Sequence, residues 1–118
     1  LEDILELIPR CYERYESKRK EIKFESNTNI LLKIHDETYC KISCNGNGYK
    51  ILNKEEYEKA LSEPNVTYSL DYKLLKRILK GPRYAHWNNA EIGSHILFSR
   101  NPDIHERGLY YSMNFFHA

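Results

Sequence analysis

The feature that most constrains the fold is an alternating run, Thr38–Cys44, bounded on both sides by turn chemistry. In an extended chain successive side chains point to opposite faces. Tyr39, Lys41 and Ser43 therefore share one side, and Cys40, Ile42 and Cys44 share the other. One side is half polar and the other apolar, the pattern of a strand with a buried face. Asp36-Glu37 separates this run from the apolar stretch Ile30–His35, and so short a gap suits a hairpin. Asn45-Gly46-Asn47-Gly48 follows. Asn and Gly tolerate positive φ, so this tetrapeptide predicts a second reversal, into Tyr49–Leu52. Three strands joined by tight turns make an antiparallel meander.

Helical signals surround the meander. Leu1, Ile4, Leu5, Leu7, Ile8, Cys11, Tyr12 and Tyr15 recur every three or four residues, which lays an apolar stripe along one helix face. Pro9 lies within that stripe and predicts a kink or two short helices. Lys18-Arg19-Lys20 reads as a solvated helix C-terminus, where basic groups face the exposed carbonyls. Asn53 with Glu56 three residues on forms a capping-box pattern, for a helix that runs to about Leu61 and stops before Pro64. Val66–Leu70 is a further short strand. Asp71 can cap a helix whose buried face is Leu74, Leu75, Ile78 and Leu79, with Gly81 and Pro82 placed to end it. Ile96–Phe98 is a last strand, broken at Asn101-Pro102-Asp103, and Leu109–Phe116 suits either a closing helix or a strand. The sum is an α+β domain: a mostly antiparallel sheet of about five strands with helices packed on one face.

Composition sets the class. With 118 residues, 41% apolar and 30% charged, the chain is expected to form one globular domain, residues 1–118. Its 18 basic and 17 acidic side chains give no overall basic surface, so no nucleic-acid partner is expected. No apolar run approaches the roughly 20 residues of a membrane span, and no membrane partner is expected. No secretory leader is visible. The chain starts at Leu1 inside a helical pattern, as a domain from the C-terminal part of a longer protein would. Cys11, Cys40 and Cys44 are odd in number and include no C-x-x-C pair. Along one strand Cys40 and Cys44 would lie roughly 13 Å apart, too far to bridge. Reduced, half-buried thiols in a cytoplasmic protein are expected.

The segment Tyr84–His95 concentrates unusual side chains: His86, Trp87, Asn88, Asn89, Glu91 and His95. On a continuous helix Glu91 and His95 share a face that His86 does not join. Zinc-binding helices use tighter spacing, and Gly93 is placed to end any helix. No metal ligand, catalytic residue or cofactor is therefore assigned. Asn88 and Asn89 can tie down a loop or orient a polar ligand group. Trp87, the single Trp, is expected in the core. Glu91 is expected to pair with Arg83 or Arg100. His35, His105 and His117 stand apart, and the strand tyrosines Tyr39, Tyr49 and Tyr68 are expected to pack helices rather than stack on bases.

Two resemblances refine this reading. The order strand Val66–Leu70, capping Asp71, amphipathic helix, Gly81, connector, strand Gly93–Arg100 resembles the sterol-carrier-protein-like fold, over roughly Ile30 to Phe116. More pointedly, Asp71-Tyr72-Lys73-Leu74-Leu75, Gly81-Pro82-Arg83, His86–His95 and Phe98-Ser99-Arg100-Asn101-Pro102-Asp103 resemble the C-terminal region of bacterial metallo-β-lactamase-fold hydrolases of the CMP-N-acetylneuraminate hydroxylase-like branch. That resemblance implies a non-catalytic accessory domain, following a catalytic domain and supporting docking or dimerisation. The family's His-x-His-x-Asp-His metal signature is absent, so no metal ligand carries over. The sterol-carrier-like plan implies an alternative, a module for a small apolar ligand held between sheet and helices. A further alternative is a small independent metal enzyme using His86, Glu91 and His95. The apolar tail Gly108–His117 is the expected contact surface for a partner.

Overall fold

The computed structural model describes all residues, Leu1–Ala118. Its elements are α1 (Glu2–Glu21), β1 (Ser26–His35), β2 (Thr38–Cys44), β3 (Tyr49–Leu52), α2 (Lys54–Ala60), β4 (Asn65–Leu70), α3 (Tyr72–Lys80), α4 (Trp87–Ile92), β5 (Ile96–Asn101) and α5 (Arg107–Met113). No helix is long and apolar enough to cross a membrane.

The five strands form one sheet in the order β3-β2-β1-β4-β5. The meander is present: β1 pairs antiparallel with β2, and β2 with β3. The sheet as a whole is mixed, not mostly antiparallel, because β4 lies parallel to β1, with Ile30 opposite Val66 and Leu32 opposite Tyr68. The cause is the link through α2. A tight turn can only reverse a strand, whereas a crossover of about a dozen residues delivers the next strand in the same direction. The stretch from Asn53 to Pro64 is such a crossover, carrying the chain from one sheet edge past β2 and β1. β5 then returns antiparallel to β4.

The same crossover separates the helices. The main core joins Ile30, Leu32, Cys40, Ile42, Val66 and Tyr68 of the sheet to residues of α1, α3, α4 and α5. α2 lies on the opposite face, where Leu31, Tyr39, Leu52 and Ala60 form a separate small cluster with Tyr57 packed against it. The helices therefore cover both faces rather than one. Tyr57 is the reason α2 stays there: its ring stacks on Tyr39 at 3.9 Å and 4°.

Local chemistry fixes the elements. α2 begins in a full capping box, with Glu56 N donating to Asn53 Oδ1 at 2.9 Å and Asn53 N donating to Glu56 Oε1 at 3.0 Å. Asp71 Oδ2 accepts from Leu74 N at 3.1 Å and starts α3, which ends at Gly81 with φ of 135°. The closing segment is a helix, α5, not a strand. Gly108 on α5 is a point of close approach: a β-carbon there would collide with the Phe24 ring.

α1 is one continuous helix through Pro9, neither two helices nor broken. Pro9 is exposed, while Ile4, Ile8, Cys11 and Tyr15 are fully buried on the opposite side of the same turns. Packing of that stripe offsets the backbone bond that Pro9 removes. The helix end also differs from the expected solvated run. Arg19 is buried, donating from Nε and one terminal nitrogen to Glu16, each at 2.6 Å, and from the other to Phe24 O at 2.8 Å. The two parallel bonds to one carboxylate hold the guanidinium in place, and the third closes the turn into β1.

Candidate functional site

The connector between α3 and β5 carries the residues that stand out in the sequence. His86 is the N-cap of α4: its Nδ1 accepts from Asn88 N at 3.1 Å, so that nitrogen carries no proton in this arrangement. Trp87 is buried, and its Nε1–H donates to Phe116 O at 2.9 Å. Its ring meets Tyr68 edge-on at 5.5 Å. Burial raises the Tyr68 hydroxyl well above its usual range. The C-terminal residue adds a second tie, with Ala118 N donating to Leu79 O at 2.7 Å. The start of α4 and the end of α3 are thus both fastened to the last three residues of the chain.

The other polar side chains of the connector do not converge. Asn88, Asn89, Glu91 and His95 are exposed, and only their backbone groups make hydrogen bonds, as in Asn88 N to His86 Nδ1 at 3.1 Å, Gly93 N to Asn89 O at 3.0 Å and His95 N to Ala90 O at 2.9 Å. Glu91 pairs with neither Arg83 nor Arg100. Arg100 instead donates to Asp103 Oδ1 at 2.9 Å and to the Tyr110 hydroxyl at 3.0 Å. The short Asn101-Pro102-Asp103 reversal brings Asp103 back to Arg100. No three His, Cys, Asp or Glu side chains are gathered so as to hold a metal ion.

The tail Gly108–His117 is mostly interior. Leu109, Tyr110, Met113, Phe116 and His117 are buried against the main core or beside it. Burial lowers the His117 imidazole from its ordinary range. Most of the tail therefore serves the fold, although Tyr111 is 48% exposed, and the most exposed apolar side chains lie elsewhere. Ile92 and Leu97 are each 74% exposed and Ile104 is 61% exposed. They bracket β5, with Ile92 just before the strand, Leu97 within it and Ile104 just beyond. No strand pairs with the outer side of β5. On the α2 side of the sheet, Tyr57, Leu61 and Leu97 line a shallow groove of about 300 Å³ beside it.

The sheet's two edges are unlike. β3 has four residues, carries the exposed Lys50, and leans its Tyr49 ring on Tyr12 at 5.2 Å. Short, charged edges resist pairing with another chain. β5 has six residues with Arg100 as the single charged side chain, and Asp103 neutralises it. The sequence signal for this edge is weak, because an exposed Leu on a strand looks like any half-buried strand residue. Comparison of the chain with protein-family models, with curated proteins and with solved structures finds no match to any of them.

Proposed function

We propose that this chain is a non-catalytic interaction domain that associates with a second copy of itself through the outer edge of β5. The observation that supports the reading is an open, nearly neutral strand edge flanked by Ile92, Leu97 and Ile104, three of the most exposed large apolar side chains in the molecule. An edge of this kind exposes backbone donors and acceptors in the register that another strand needs. A two-fold axis brings identical edges together antiparallel, so a self-interface is complementary without a second surface. The neutral Arg100–Asp103 pair matters here, since an unbalanced charge would meet its own copy across the axis.

The finer reading is that such a dimer serves as the accessory domain of a metallo-β-lactamase-fold hydrolase. It rests on the residue resemblance at Asp71–Leu75, Gly81–Arg83 and His86–Asp103. In that reading the upstream catalytic domain is the second partner. An apolar-ligand module is less well supported, because the main core is filled and the larger depressions are open to solvent.

Light scattering coupled to size exclusion tests the dimer. The chain is expected to run as a dimer at about 100 µM, a concentration that detects weak association, and Leu97→Arg to run as a monomer with an unchanged far-ultraviolet circular dichroism spectrum. A monomeric parent chain, or a Leu97→Arg dimer, contradicts the proposal.

A further inference from the structure

The turn between β2 and β3 holds two consecutive Asn-Gly pairs, Asn45-Gly46 and Asn47-Gly48, and no other asparagine of the chain precedes a glycine. The pairing has a chemical consequence. The backbone nitrogen that follows an asparagine can close a five-membered ring onto the side-chain carbon Cγ, and a glycine, with no β-carbon, leaves that approach open. At the other asparagines a side chain crowds the approach, and Asn101 precedes Pro102, which has no N–H to lose. Asparagine is one of the thermolabile residues, and this chain places both of its most labile pairs in one turn.

The fold treats the two pairs differently. Asn45 is half-buried, and its Oδ1 accepts from Asn47 N at 3.2 Å, a bond that ties the side chain to its own turn. Gly46 lies against the ion pair of α1: a β-carbon there would sit 3.5 Å from Arg19 Nη2 and 3.6 Å from Glu16 Oε2. A ring forming at Asn45 must break the one contact and crowd the other. Asn47 is exposed, and its side chain makes no hydrogen bond within the protein. A β-carbon on Gly48 would meet no atom within 4 Å, and Gly48 N donates to no backbone carbonyl. The second pair therefore has the free side chain and the room that ring closure needs.

We propose that Asn47 is a site of spontaneous deamidation and that its isoaspartyl product releases β3 from the sheet edge. Gly48 N gives its proton to solvent and bonds to Asn47 Cγ. The carboxamide C–N bond breaks, and ammonia leaves with the proton it needs. Water then opens the ring. Cleavage of the new N–Cγ bond leaves an ordinary aspartate, and cleavage of the original peptide bond leaves an isoaspartate, whose backbone runs through Cγ and is longer by one methylene. Turn length sets the register of a hairpin, and this turn is closed by Ser43 N donating to Gly48 O at 3.0 Å. The extra methylene enters directly beside that bond. β3 has little else to hold it, since of its four residues only Leu52 is buried. The proposal concerns this turn alone and does not depend on β5, which lies at the far edge of the sheet.

Ageing the chain in a warm, mildly alkaline, reducing buffer and mapping its peptides by mass spectrometry tests it. In the native protein Asn47 is expected to convert at least about fivefold faster than Asn45, a barrier difference of about 1 kcal/mol. In urea, where neither pair is held, the two are expected to convert within about twofold of each other. Asn47→Gln, whose side chain needs a larger ring, is expected to lose the fast conversion while keeping the circular dichroism spectrum of the parent. The isoaspartyl form, isolated by anion exchange and identified by fragmentation of the turn peptide, is expected to exchange the amides of Tyr49–Leu52 at least about tenfold faster than fresh protein, with α3 unchanged. Equal native rates at Asn45 and Asn47, an intact Asn47 over a time in which the urea-unfolded chain converts, or an isoaspartyl form whose β3 stays as protected as in fresh protein overturns the proposal.

Discussion

The two faces of the sheet have been built to different standards. Beneath α1, α3, α4 and α5 the sheet carries a core of 22 buried residues, with its aromatic rings in edge contact and its one Trp hydrogen-bonded. Beneath α2 it carries four buried residues and one stacked tyrosine pair. The rest of that second face is open: a polar cleft toward the Asn45–Gly48 turn, the shallow groove toward β5. One face holds the molecule together, and the other, with the β5 edge beside it, presents what a partner can reach. The histidine- and asparagine-bearing connector belongs to the first face. It contributes Trp87 to the core and the His86 cap to α4, and its remaining polar groups point to solvent.

Adjacent residues of β1 give the sharpest test of this contrast. Leu31 and Leu32 are both fully buried, on opposite faces. Core Leu→Ala changes cost about 2–5 kcal/mol, more where surroundings cannot collapse into the space. Leu32→Ala is expected near the top of that range, because α1 and α3 hold the cavity open. Leu31→Ala is expected near the bottom, because the short α2 can settle inward. Urea denaturation of both variants measures the difference. Equal costs would break the comparison and make α2 part of the main scaffold.

A smaller effect concerns the thiols, all of which contact the first face. Burial pushes Cys11 and Cys40 up to about 12 and Cys44 up to about 11, from an ordinary 9.0, with the Tyr15 hydroxyl drawing Cys44 partly back. The folded protein therefore holds these protons more tightly than the unfolded chain. Their contribution to stability is complete below about pH 9 and falls as the pH rises from there toward 12. The denaturation midpoint is expected to be flat from neutral pH to about 9, as far as these groups are concerned, and to decline above it. A thiol reagent at neutral pH is expected to leave the native chain unmodified and to label three cysteines in urea. Rapid native labelling would mean that this face is not dry.

The local grammar of the chain is legible in its sequence, and the long-range arrangement is not. Asn53 with Glu56, Asp71 before Leu74, and Gly81 at the end of α3 act through atoms within a few residues of each other, so their spacing is sufficient to read them. The side taken by α2 is a different matter. A helix of seven residues whose one buried member is Ala60 has too short a stripe to announce its face. The parallel pairing of β1 with β4 follows from that path, so it was equally hidden. Arg19 looks solvent-bound until Phe24 O turns back toward it. The Trp87 bond to Phe116 O spans 29 residues. The polar cleft is the hardest to foresee: Asn27, Asn29, Asn45 and Asn47 read as turn and strand-end residues, and only the sheet brings them around Lys41.

Native-state hydrogen exchange tests the unequal construction of the two faces most directly, because it measures the opening free energy of each element in one sample. Amides of α1 and the central strand β1 are expected to exchange only through global unfolding, and those of α2 through a local opening at least about 2 kcal/mol cheaper. Amides of α2 protected as strongly as those of α1 would contradict the account.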